Sequence, residues 1–181
     1  MGLLGSIWYT SHLNTTEINN LLCYLNFDMV SRGYYGVFDG DGSTHGLAGA
    51  PGSDVIESLF NKHFESVGIQ TTPAVFTGGS DYAPFMSNLR KPVGGLHTGT
   101  GVAQDPCYHQ KCDTYSNANG TILTANAKAA AHVLATLSLE GEKLIPKNLT
   151  LTMGRQDWDP SIIKWTYEEG GRHSATCGHD V

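Results

Sequence analysis

The chain has 181 residues, 40% of them hydrophobic, and a formal net charge of −6. That length supports one domain with a real core, and the ordinary apolar content argues against disorder. No basic cluster is longer than Arg90 and Lys91, which argues against nucleic acid or an anionic membrane surface as partner, and no apolar run reads as long enough to span a membrane.

In chain order, residues 2–13 read as a helix because Leu3, Leu4, Ile7 and Trp8 recur at helical spacing, and 14–17 as a polar break. Residues 21–30 are nearly continuous in apolar side chains, the pattern of a strand covered on both faces in an α/β sheet. Asp28 falls toward its C-terminal end, where such sheets display function, although an isolated aspartate there is more often a structural, hydrogen-bonded group. The run 39–52 (DGDGSTHGLAGAPG) has the look of a calcium loop but lacks a later glutamate at the required interval, so it reads as a surface loop. Ser53 is expected to cap a helix reaching Val67, with Val55, Ile56, Leu59, Phe60, Phe64 and Val67 in one apolar stripe and Gly68 as its stop.

A short strand at 72–76 follows, then a helix capped by Ser80 or Asp81 and running to Leu89, with Pro84 tolerated near its first turn. Residues 92–97 form the next strand and 98–119 a long loop. Residues 124–139 form an alanine-rich helix with Val133, Leu134 and Leu137 inward and Gly141 as its stop. From Glu142 the composition changes and no period persists. The expected division is therefore 1–141 as a folded unit and 142–181 as an appendage, whose His173, Cys177 and His179 are too scattered to read as a metal site.

Within the loop, DPCYHQKCDT (105–114) places Tyr108 and His109 between Cys107 and Cys112. A disulfide there would close a very small ring and serve geometry more than stability, but a stapled surface loop with a solvated histidine and half of a structural zinc site have the same residue types. Cys23 and Cys177 supply no second paired motif. Three acceptor sequons, at Asn14, Asn119 and Asn148, join the cysteine pair in favouring an oxidising, secreted or vacuolar compartment, although the N-terminus lacks the basic start of a signal peptide.

Three separated groups of motifs carry a more specific signal: GLLGS (2–6) with LLCYLNFDMV (21–30), TGGSDYAPF (77–85) with GGLHTG (94–99), and DPCYHQKCDT. In order and spacing they resemble the aminopeptidase Y and leucyl aminopeptidase family, co-catalytic zinc exopeptidases that release residues from peptide N-termini. The resemblance implies an α/β three-layer sandwich around a mixed sheet. It further implies that Asp28 binds one zinc and His109 the other, that Tyr108 polarises the scissile carbonyl, and that Gly95, Leu96 and His97 line the recess for the first side chain. Carboxylate and imidazole both suit zinc, and two ions about 3.5–4 Å apart can stabilise a tetrahedral oxyanion.

The resemblance also implies groups that this sequence lacks. The family's glutamate pair, a general base and a zinc ligand, precedes GLLGS, and its His-x-Asp ligand pair lies further upstream; relatives also carry arginine where Gly79 stands. The expectation is a catalytic domain without its first strands and half of its metal site, inactive alone. The alternative is a non-enzymatic pseudoenzyme or peptide-binding module, or an incomplete reading of a longer gene.

Overall fold

A computed structural model describes residues 3–99 and 104–146. Its elements are α1 (Leu4–His12), α2 (Thr15–Asn20), β1 (Tyr24–Asp28), β2 (Gly36–Phe38), α3 (Ser53–Ser66), β3 (Thr72–Ala74), α4 (Tyr82–Ser87), β4 (Val93–His97) and α5 (Gly120–Leu144). The four strands form one mixed sheet in the order β1-β4-β2-β3, with β1 parallel to β4, β2 antiparallel to β4, and β3 parallel to β2.

Because side chains alternate across a strand, the short strands feed two cores. Val37 and Leu96 point to one face and join Ile56, Phe60 and Phe64 of α3 with Ala129, Val133 and Leu137 of α5. Phe38 and Val93 point to the other and join Phe76, Tyr82, Phe85 and Met86 around α4. The result is the three-layer α/β sandwich that the motifs implied.

Several local expectations change. β1 lies at the sheet edge with Phe27 exposed, so an apolar run that read as a doubly covered strand is half open here. Residues 15–17 are the start of α2 and not a break, with Asn14 as its cap: the Asn14 side chain accepts from the Glu17 N–H while the Glu17 carboxylate accepts from the Asn14 N–H, a capping box. The loop at 39–52 is fastened from α3, where Glu57 accepts hydrogen bonds from the Gly40 and Asp41 N–H groups. Sequence distance hid that partner.

The last helix is longer at both ends than its periodicity indicated. Asn119 caps it, accepting from the Thr121 and Ile122 N–H groups. At the other end the chain passes through Gly141 as helix, because Leu22 packs where a side chain would stand. Ile145, just beyond the helix, is buried against α3 and α5. Leu134 faces out and not in. By length and composition this helix could cross a membrane, contrary to the reading of the sequence; in the sandwich, Asn126, Ala129, Val133, Leu137 and Gly141 lie along its buried face. Asn148 and the tail residues His173, Cys177 and His179 lie outside the described residues.

Candidate active site

Asp28 ends β1 and His97 ends β4, and the parallel register sets these two residues directly across from each other. The open end of two parallel strands is where α/β sheets present ligand groups. Asp28 is exposed, and its Oδ2 accepts a 2.7 Å hydrogen bond from the Ser80 hydroxyl. Ser80 is in turn within 3.1 Å of the Asn26 amide nitrogen, and Asn26 is 3% exposed. A buried amide thus anchors the hydroxyl that fixes the carboxylate.

The segment bearing Ser80 is held from below. Tyr82 is buried in the second core, and its hydroxyl oxygen accepts the Gly78 N–H at 2.7 Å. Burial pushes that phenol up to about 12, so it stays protonated at any ordinary pH. Sequence reasoning gave Ser80 or Asp81 a capping role; Asp81 occupies the cap position of α4 without a side-chain bond, and Ser80 turns to Asp28 instead. TGGSDYAPF pointed to the segment but not to this contact, which joins residues 52 apart.

Backbone geometry tightens the strand end. Met29 has φ 58, a left-handed conformation uncommon for any residue but glycine, and its carbonyl accepts the Thr98 N–H at 2.8 Å and the Thr98 hydroxyl. Gly95 has φ 135, and a Cβ there would lie 2.0 Å from the Asn26 carbonyl oxygen. Glycine is required at this close approach. Leu96 packs into the first core, so of Gly95, Leu96 and His97 only the histidine brings a side chain to the strand end.

His97 is half-buried. Its Nδ1 accepts the Gly99 N–H at 3.2 Å, which puts the proton of the neutral ring on Nε2. Burial pushes its pKa down, and the nearby Asp28 charge only partly opposes that. The ring is therefore neutral near pH 7.

Tyr108 and His109 form a second group. Cys107 and Cys112 are joined as a disulfide with a Cα–Cα distance of 5.3 Å. Asp105, 8% exposed, accepts from the Cys107 N–H and from the Asn117 amide, tying both sides of the loop together. The Arg32 guanidinium donates to the Asn117 carbonyl and the Asn119 N–H to the Ser31 carbonyl, which fastens the loop to the segment after β1. His109 takes φ 55, and its ring stacks on Tyr108 at 3.9 Å between centroids. Both side chains are exposed. No hydrogen bond or ring contact among the described residues joins His109 to Asp28.

Carboxylate and imidazole fit zinc in kind. They do not fit it in number: Asp28 and His97 meet at one strand end, His109 stands in another group, and four-coordinate zinc in a catalytic site takes three protein ligands. Three acidic groups do cluster elsewhere, Asp39, Asp41 and Glu57, with ligand atoms within 4.8 Å of one another. Their oxygens already serve the loop, Asp39 accepting from the Thr44 and His45 N–H groups and Asp41 from that of Ser43. Burial raises the Glu57 pKa, with the two aspartates adding to it.

Comparison with known proteins agrees with the motifs. Leucine aminopeptidase 2 of Trichophyton rubrum is 37% identical over 198 residues, covering 98% of this chain, and probable leucine aminopeptidase 2 of Aspergillus oryzae is 38% identical over 173 residues, covering 86%. The chain spans little more than a third of the length of these relatives, 37% and 35% respectively. The profile of peptidase family M28 matches residues 1–134, and the chain belongs to that family.

Proposed function

We propose that this chain is part of the catalytic domain of an aminopeptidase that uses zinc and releases residues from peptide N-termini, with residues 1–141 as the catalytic portion. The observation that carries this reading is the Asp28 carboxylate, held by Ser80 beside His97 at a strand end, in a chain of a peptidase family. Asp28 and His109 each contribute one ligand, to different ions of a pair. Bound zinc supplies Lewis acidity at the scissile carbonyl.

The chain's own groups position the substrate. Ser80 fixes the Asp28 carboxylate, and the negative charge near Asp28 attracts the free α-ammonium of the peptide. The Tyr108 hydroxyl donates a hydrogen bond to the carbonyl oxygen as charge develops on it. Gly95 and His97 border the recess for the first side chain, backed by Leu96. One ligand does not hold a catalytic zinc, so the 181-residue chain alone has negligible turnover, and the missing donors come from another portion of a longer chain.

Two assays test this. The chain alone, given a leucyl chromogenic substrate and zinc, is expected to stay at background; turnover near that of an intact relative, abolished by His109→Ala, would sink the claim of inactivity. A chimera in which residues 3–144 replace the matching third of the Trichophyton rubrum protein is expected to hydrolyse the same substrate and to lose at least a hundredfold with Asp28→Ala or His109→Ala. A chimera indifferent to both changes would sink the assigned roles.

The shortage of metal donors favours a second reading, a peptide-binding module without turnover. Turnover in the chimera separates the two, because a module binds without hydrolysing; calorimetry with peptides bearing free and acetylated N-termini tests what they share, and binding that ignores acetylation removes the N-terminal recognition common to both. The Cys107–Cys112 disulfide, with sequons at Asn14, Asn119 and Asn148, supports residence outside the cell or in a vacuole.

A further inference from the structure

α3 and α5 pack side by side over one face of the sheet, and at the margin of their seam His63 of α3 meets His132 of α5. The ring centroids are 4.7 Å apart with the planes inclined at 32°. His63 is half-buried and His132 exposed. Among the described residues neither imidazole makes a hydrogen bond; the other ring contact of His63 is edge-on to Phe64 at 5.9 Å. Both rings therefore keep uncommitted nitrogens at the surface.

The spacing is informative. Imidazoles that each bind one ion through a nitrogen about 2.0–2.1 Å away place their ring centres roughly 3.2 Å from it, hence about 4.5 Å apart at a right angle and about 5.2 Å apart at the tetrahedral angle. The observed 4.7 Å falls between these limits. The stacked pair Tyr108 and His109 is closer and flatter, 3.9 Å at 18°. His63 and His132 are also supplied by different helices, so an ion held by both would tie the helices together.

We infer that His63 and His132 form a two-imidazole site for a divalent transition ion, zinc, copper or nickel, that clamps α3 to α5, with water completing the coordination. Imidazole suits these ions, whereas calcium and magnesium demand oxygen donors. The site shares no residue with the group around Asp28 or with His109, and it stands independently of the proposed catalytic role. Binding that requires both helices docked stabilises the docked state in proportion to the logarithm of ion concentration over the dissociation constant.

The test uses the full 181-residue chain with zinc alone, in calorimetry and in thermal melts with and without saturating ion. Wild type is expected to show a binding event and a zinc-dependent rise in melting temperature of a few degrees. His63→Gln and His132→Gln are each expected to weaken the event at least tenfold and to lose the rise. Glutamine keeps helix propensity near that of the parent helices, so folding of the variants is not at issue. Zinc binding unchanged in either variant, a loss confined to one of the two, or a loss confined to His109→Gln overturns the proposal and leaves a stacked surface pair only. Calcium in place of zinc is expected to give no response that either histidine variant removes.

Discussion

The Asp28 group and the His109 group are built by opposite means. Asp28, Ser80 and His97 stand where two parallel strands end, and strand register, a buried asparagine and a buried tyrosine hydroxyl position them. Tyr108 and His109 stand in an exposed turn, positioned by a disulfide, by Asp105 and by bonds from the loop to the segment after β1. A strand end borrows its precision from the core beneath it, whereas an exposed turn must carry its own restraint. The covalent bond occurs where the core cannot help.

Breaking the first group is expected to damage the fold, and breaking the second to loosen one turn. The largest effect belongs to Gly95→Ala, which adds a Cβ 2.0 Å from a carbonyl oxygen at a φ that resists side chains. It should cost roughly 3 kcal/mol or more, visible as a collapse of the denaturant midpoint. A midpoint within error of the parent would mean the strand end is far more pliable than its geometry. Next, replacing both Cys107 and Cys112 by serine should cost about 2 kcal/mol through the unfolded chain, since the closed ring is so small. Amide exchange should accelerate at 107–114 and stay unchanged at β1 and β4; exchange accelerating equally in both would erase the distinction.

Ser80→Ala should cost about 1 kcal/mol, the worth of one net hydrogen bond. In the active chimera it should impair turnover more than it impairs stability, because the freed Asp28 carboxylate is misdirected while the core is intact. Loss of stability without loss of turnover would assign Ser80 to the fold alone. The last effect is absent at neutral pH and emerges only at high pH. Burial pushes the Cys23 thiol from its ordinary 9.0 up to about 11, so the unfolded chain releases this proton first. The resulting stability is complete below about pH 9 and is lost as pH rises toward about 11, and Cys23→Ala should flatten that part of the curve. At pH 8 the native thiol should alkylate far more slowly than the unfolded one, mapped by mass spectrometry to Cys23.

Much of the architecture could be read from the sequence because it is local. The stripe Val55 to Phe64 fixes α3, and the apolar run into Asp28 fixes a strand that exposes its last residue. What escaped was tertiary. Gly141 reads as a helix stop until Leu22 is seen against it, Glu57 is too far along the chain to belong to a loop at Asp39, and Phe27 looks buried until β1 proves to be an edge. In the candidate site, Asp28, His97, Tyr108 and His109 were legible through motifs. The hydrogen bond from Ser80 was not, because it joins a loop residue to a strand end 52 positions away, and no spacing rule links TGGS to NFD.

Gly95 has one more consequence. It pairs with Asn26 in the parallel register, and its missing side chain lets the two backbones approach at that one step of the ladder. A slip by one residue in one direction would drive the Leu96 side chain into the narrow place, and it would turn Asp28 to the opposite face of the sheet from its present one. The glycine thus works as a one-way alignment key: it resists the slip toward Leu96 and so favours the pairing that leaves aspartate and histidine level with each other at the end of the sheet.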